Sequence, residues 1–123
     1  MLKGWRRSPD AFTPTVISWR NGEALCGSSG EVIRFQRREC ELMQILHKEF
    51  GHFVAWQEVA RKLFAITDEA RDESALIRVY AHTIRRKIDR KCSFGIEGRQ
   101  GYGYRLFGLL LVDDYTTVAG AVD

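Results

Sequence analysis

The residues best suited to chemistry are arginines and lysines gathered toward the C-terminal end of the chain. Between Ser74 and Arg105 there are eight Lys or Arg residues and two acids, whereas the whole chain of 123 residues has a formal net charge of +3. The rest of the chain is therefore net acidic. A basic segment within an otherwise acidic chain is typical of a surface that binds a polyanion.

The first half of this segment has the periodicity of an amphipathic helix, which we predict over residues 74–91. One side of the helix is apolar, with Ile77, Tyr80, Ala81, Ile84 and Ile88. The opposite side carries Arg78, His82, Arg85, Arg86 and Asp89. Val79 and Thr83 lie on the flank of the basic side, and guanidinium groups beside methyl groups suit the major groove of DNA. A solvated basic face without a ligand is the simpler alternative.

The second half of the segment predicts a glycine-turned β-hairpin over residues 95–106. Gly98, Gly101 and Gly103 interrupt a run that otherwise holds apolar and aromatic side chains. Glycine turns a short hairpin without the steric penalty of a positive φ. Tyr104 and Leu106 have the period-2 spacing that buries one face of a strand. The run has no Gly-Lys-Ser/Thr end and no helix after it, so it is not a nucleotide-binding P-loop.

No pattern in the chain indicates catalysis, a metal site or a cofactor. The three histidines and three cysteines lack every spacing that zinc sites use. Cys92 has basic neighbours, but no histidine is placed to act as its base. Because Cys26, Cys40 and Cys92 are odd in number and widely spaced, we expect reduced thiols in the cytoplasm rather than disulfides. The protein is therefore expected not to be an enzyme.

Upstream of the basic segment, the sequence predicts the elements that position it. β-branched and aromatic runs at 15–20 and 31–35, separated by turn residues, predict a small antiparallel meander. Apolar residues at helical spacing then predict two helices, one through Cys40, Met43, Leu46 and Phe50 and one through Trp56, Val59, Ala60 and Leu63. An acidic stretch at 65–73 follows, and Asp72 or Ser74 is expected to cap the basic helix that comes next. The predicted fold class is α+β.

The chain is long enough for one domain, which we place at residues 15–107. Residues 1–14 are expected to be a flexible N-terminal segment without a signal peptide, and no apolar run is long enough to cross a membrane. Residues 108–123 form an apolar C-terminal tail. This tail either adds a strand to the domain's own sheet or forms the interface of a homodimer.

Several strings of the sequence match the pattern of a known family. A helix that ends in Ile84-Arg-Arg-Lys-Ile88, then a strand, then Gly101-x-Gly-Tyr-Arg-Leu106, resembles the winged helix-turn-helix effector domain of bacterial OmpR/PhoB-type response regulators. Phe35-Gln-Arg-Arg-Glu39 matches the start of the family's first helix, and Gly51 with Trp56 matches the turn into its second. The resemblance runs from about Val16 to Phe107.

The resemblance implies that the protein is a cytoplasmic transcriptional regulator that binds double-stranded DNA. In this family the third helix enters the major groove, the wing reaches the minor groove, and the loop at 64–73 can contact RNA polymerase. Carried over by position, the groove-facing residues include Ala75 and Leu76. The predicted DNA-binding residues are Arg78, Val79, His82, Thr83, Arg85, Arg86, Arg90, Arg99, Gln100 and Tyr102.

The sequence also departs from the family at positions that matter for function. Thr83 replaces a frequent basic residue and Gln100 a frequent arginine, so the DNA sequence that family members recognise is not transferable. No receiver domain precedes Val16, which suggests either an excised effector domain or a small stand-alone regulator. The alternative function is a winged-helix module that has lost DNA binding and acts as an inhibitor or adaptor of RNA polymerase or another regulator.

Overall fold

A computed structural model of the protein describes residues 13–27, 29–64 and 72–113. Nearly all of the segment predicted to be flexible, most of the acidic stretch and the end of the tail lie outside these ranges. The elements, in chain order, are β1 (Thr15–Ser18), β2 (Glu23–Leu25), β3 (Val32–Arg34), α1 (Arg37–His47), β4 (Val54–Ala55), α2 (Trp56–Leu63), α3 (Glu73–Ile88), β5 (Phe94–Arg99), β6 (Gly103–Gly108) and β7 (Leu110–Val112). This is the α+β winged-helix fold that the sequence predicts.

The N-terminal strands form a four-stranded sheet in the order β3-β2-β1-β7. The first three strands are the predicted antiparallel meander, with β2 as an additional strand between the two apolar runs. Strand β7 comes from the C-terminal tail and pairs in parallel with β1. Residues 110–112 of the tail therefore complete the domain's own sheet.

The core lies between the inner face of this sheet and the three helices. Alternate strand residues point inward, as Ile17, Ala24 and Ile33 do, because successive side chains of a strand face opposite ways. The helices contribute their predicted apolar stripes, which include Leu42, Met43, Leu46, Val59, Leu63, Ile77, Ala81, Ile84 and Ile88. Helix α3 is thus held along its whole length by its apolar side.

Helix α3 begins and ends at identifiable signals. Asp72 is the N-cap, and its Oδ1 accepts a hydrogen bond from the Ala75 backbone N–H at 3.0 Å. The helix ends at Ile88, three residues before the predicted end. Arg90 has a φ of 61°, a left-handed conformation that no α-helix continues through. Arg90 therefore projects from the turn after the helix.

The wing belongs to a second sheet, in the order β4-β6-β5. Strands β5 and β6 pair antiparallel, with buried Ile96 opposite buried Leu106. Gly101, in the turn between them, has a φ of 77°, a conformation that glycine adopts without the steric penalty that other residues have. Gly103 serves a different purpose, since a Cβ there would collide with the carbonyl of Val54 on β4.

Two cysteines correct the expectation of reduced thiols. Cys26, at the end of β2, and Cys92, in the turn after α3, form a disulfide with their Cα atoms 5.0 Å apart. The pair is 66 residues apart in sequence, so only the fold brings it together. Cys40 remains a free, buried thiol. None of the helices in the described ranges is long and apolar enough to span a membrane.

Candidate nucleic-acid interface

Helix α3 exposes the basic side that its periodicity predicts. Arg78, His82, Arg85 and Arg86 are exposed on this side, and Val79 beside them is 55% exposed. The opposite stripe is almost completely buried. Because burial of the apolar stripe fixes the rotation of the helix about its axis, the basic side chains all lie on the side that faces solvent.

Several arginines of this surface are available to a ligand. Arg78, Arg86 and Arg90 form no ion pair with any other residue in the described ranges. Lys87, in contrast, points inward, where its Nζ donates to Glu39 Oε1 at 2.7 Å and to the Arg34 carbonyl at 3.1 Å. Lys87 thus contributes to packing inside the protein, whereas the arginines remain exposed to solvent.

Thr83 lies between the exposed arginines and the packed Lys87, and it is only half-exposed. Its hydroxyl donates to the Tyr80 carbonyl at 2.9 Å. Burial of Glu39 favours a higher pKa, but hydrogen bonds from Lys87 and from the Gln36 backbone outweigh burial and leave the pKa of Glu39 below its usual value. Because the Thr83 hydroxyl is bonded within its own helix, only its methyl group remains for an external contact.

A cleft separates α3 from the wing, and three arginines line it. Arg78 and Arg85 come from the helix and Arg99 from the end of β5, while Trp56 and Tyr104 form apolar parts of the wall. The Nε of Arg85 donates to the Ile96 carbonyl at 3.3 Å, so this side chain bridges the helix and the wing. Guanidinium groups that converge from two elements suit an anion such as a phosphate.

The wing holds its cations against aromatic rings. The guanidinium carbon of Arg99 lies 5.9 Å from the ring centre of Phe53 and 6.0 Å from that of Tyr102. Arg105 stacks on Phe53 at 4.8 Å and also donates to Glu97 at 2.8 Å. Such stacking restricts the long arginine side chains and leaves Arg99 exposed at the wing.

The predicted DNA-binding residues thus lie on α3, on the turn after it and on the wing. Nine of them are exposed, namely Arg78, Val79, His82, Arg85, Arg86, Arg90, Arg99, Gln100 and Tyr102, whereas Thr83 is half-exposed. Their role in DNA binding stays a prediction. Sequence reasoning missed Trp56 in the cleft wall and Phe53 under the wing, since both looked like ordinary apolar residues. Within the described ranges, no cluster of His, Cys, Asp or Glu could hold a metal ion.

Comparisons with known proteins agree with this geometry. Residues 30–106 match the family model described as "Transcriptional regulatory protein, C terminal". The DNA-binding domain of CssR from Bacillus subtilis has a similar structure, with a TM-score of 0.56, 20% identity, and coverage of 69% of this chain and 90% of that one.

Two further solved structures share the fold. The C-terminal domain of the nisin resistance regulator NsrR, a lantibiotic response regulator, has a TM-score of 0.57 at 23% identity and covers 77% of this chain and 92% of its own. The DNA-binding domain of Escherichia coli CadC has a TM-score of 0.57 at 11% identity, with 79% and 89% covered. A search of curated protein sequences gave no significant match.

Proposed function

The chain belongs to the family of C-terminal domains of transcriptional regulatory proteins, the OmpR/PhoB-type DNA-binding domains, and on that premise we propose that it recognises a specific sequence in double-stranded DNA. As a member of that family it is a DNA-binding transcriptional regulator. Helix α3 is the element proposed to enter the major groove, and the β5–β6 wing the element proposed to reach the adjacent minor groove.

The observation that carries this proposal is the unpaired arginine surface of α3 beside a cleft lined by arginines of both helix and wing. Arg78, Arg85 and Arg99 line this cleft from two elements, which suits one backbone phosphate held between helix and wing. Phosphate contacts of this kind set the register of the helix on the duplex without reading its sequence.

Base recognition is then left to the side chains farther along the exposed side of α3. Arg86 can reach guanine through its two-pronged guanidinium group, and Val79 offers methyl groups to thymine. His82 lies one helical turn before Arg86 on the same side. Gln100 and Tyr102 at the tip of the wing are the proposed minor-groove contacts.

The alternative of a protein-interaction module without DNA binding is less well supported. It depends on the acidic stretch at 65–73, most of which lies outside the described residues. Between Arg78 and Arg86 the exposed side of α3 carries no acid, which suits DNA better than another protein. Contact with RNA polymerase through the 64–73 loop, and a cytoplasmic location beside the chromosome, remain parts of the proposal.

Selection of bound DNA from a random library tests the proposal directly. We expect a short enriched motif, and we expect the enrichment to disappear when Arg78, Arg86 and Arg99 are all replaced by alanine. Arg37→Ala is the control, because Arg37 is also exposed but lies on α1, where it pairs with Glu41. Failure of the folded parent protein to enrich any sequence would contradict the proposal.

A further inference from the structure

The outer face of the N-terminal sheet carries an apolar strip that no described residue covers. The strand register aligns Val32, Leu25, Val16 and Leu111 side by side across β3, β2, β1 and β7. Three of the four are strongly exposed, with Leu25 at 47%, Val32 at 55% and Leu111 at 54%. We refer to these four residues as the outer strip.

The outer strip is unusual because the opposite face of the same sheet already packs on the core. An antiparallel sheet with one solvated face normally alternates apolar and polar residues along each strand. Here neighbouring residues such as Val32 and Ile33, or Val16 and Ile17, are both apolar. Single exposed apolar residues need no explanation, but a row across all four strands marks a surface that binds something.

We propose that the outer strip binds a second copy of this chain, with the two sheets packed face to face about a two-fold axis parallel to the strands. Such an axis reverses the order of strands between the two copies. Val32 then lies opposite the partner's Leu111, and Leu25 lies opposite the partner's Val16. A face that meets its own copy about a two-fold axis forms an isologous, closed dimer.

The charges of the next row favour this occupant and this axis. Two residues farther along the strands, and so on the same face, the row reads Arg34, Glu23, Ser18 and Asp113. Arg34 pairs with Glu23 of its own chain, Nε to Oε2 at 3.2 Å, but its side chain stays 81% exposed. Reversal of the strand order places Arg34 opposite the partner's Asp113, and symmetry repeats the contact. A two-fold axis perpendicular to the strands would instead place this charged row against the opposite end of the partner's sheet, which holds Gly27 and Gly30.

The size of the strip predicts the strength of the dimer. Four strands about 4.8 Å apart span only about 14 Å between the outermost strands. That face is smaller than the roughly 800 Å² per partner of a standard stable interface. We therefore expect a weak dimer in solution, and its formation does not depend on whether the protein binds DNA.

Sedimentation equilibrium of the full chain between about 10 μM and about 1 mM, the range of weak association, is the primary test. We expect a reversible monomer–dimer equilibrium in the parent protein. Val32→Lys should raise the dimer dissociation constant at least about tenfold, because it buries an unpaired charge. Val79→Lys is the matched control for self-association, since Val79 is also 55% exposed but lies on α3.

Charge reversal tests the axis. Arg34→Asp alone and Asp113→Arg alone should each weaken the dimer, whereas the double variant Arg34→Asp/Asp113→Arg should restore it. Thermal unfolding of each variant, measured alongside, identifies any loss that comes from misfolding. A parent protein that stays monomeric to the highest concentration overturns the proposal, and so does a dimer that is indifferent to Val32→Lys. If each single variant weakens the dimer and the double variant does not restore it, the proposed axis is wrong.

Discussion

At the scale of single residues, the arginines of the surface differ in what surrounds them. Arg85 donates to the wing backbone and Arg99 stacks on aromatic rings, so both are held in place before any ligand arrives. Arg86 has no such restraint. Restrained side chains suit the fixed spacing of phosphates, whereas an unrestrained guanidinium can adjust to a base edge.

Arg86→Ala should therefore weaken binding to the selected DNA by about 1–3 kcal/mol and relax the preference at one base position. Measurement of dissociation constants for the selected site and for each single-base variant provides the check. Arg37→Ala should match the parent. An equal loss of affinity on every sequence would show that Arg86 contacts phosphate instead of a base.

Two of the wing glycines, Gly101 and Gly103, should differ in their tolerance of a side chain. Gly103→Ala drives a Cβ into the Val54 carbonyl, so we expect a loss of about 2–3 kcal/mol in the free energy of unfolding and a displaced wing. Gly101 has open space around it, and Gly101→Ala costs only the positive φ, about 1–2 kcal/mol. Urea unfolding of both variants measures the difference, and equal losses would contradict the close-approach explanation.

At the scale of elements, the sequence predicted what depends on local periodicity. The rotation of α3 follows from the 3.6-residue spacing of Ile77, Ile84 and Ile88, and the wing follows from its glycines. The end of α3 was missed because neither the non-helical ψ of Asp89, 122°, nor the left-handed φ of Arg90 is indicated by the residue type. The inward turn of Lys87 was missed because its partner, Glu39, lies 48 residues away.

The Glu39–Lys87 contact ties the start of α1 to the end of α3. Glu39 is 1% exposed and also accepts a hydrogen bond from the Gln36 backbone N–H at 2.8 Å. A charged pair in such a position rarely adds much net stability, but removal of one partner leaves the other without compensation. We expect the pair to fix the orientation of α3 relative to α1.

The pH dependence of stability should report on this contact. The pKa of Glu39 is lower in the folded than in the unfolded protein, so the folded state binds fewer protons and loses stability as the pH falls below about 4.5. Glu39→Gln should lower stability at neutral pH and flatten this acid limb. Glu41→Gln, on the same helix but only partly buried, is the control. An acid limb in Glu39→Gln identical to that of the parent would contradict the assignment.

At the scale of the whole molecule, the sheet and the helices are joined by non-local links, of which the sequence indicated only the strand from the tail, and that as one of two alternatives. Strand β7 returns from the far end of the chain to pair with β1, and Ser93 donates from its backbone N–H to Thr15 Oγ1 at 3.0 Å. The Cys26–Cys92 disulfide lies in the same region. These links fasten the turn after α3 to the N-terminal sheet.

The disulfide should contribute measurably to stability. Cross-linking residues 66 apart removes unfolded-state entropy that amounts to about 4 kcal/mol in the loop-closure model, and measured effects are often about 2–4 kcal/mol. Urea unfolding with and without reductant should show this loss in the parent protein. The Cys26→Ser/Cys92→Ser variant should be indifferent to reductant. Peptide mapping without reduction should recover the two cysteines linked, and their recovery as free thiols would contradict the bond.

The salt dependence of DNA affinity sums the phosphate contacts of the whole molecule. If helix, turn and wing together neutralise about four to six phosphates, the log–log slope against salt should be on the order of −4 to −5. Arg90→Ala removes a cation from the turn after α3 without disturbing a described ion pair, so the slope should become shallower by about 1. Arg37→Ala should leave it unchanged. Because each released counterion comes from a contacted phosphate, an affinity indifferent to salt would mean that the arginine surface does not face DNA and would favour a protein partner instead.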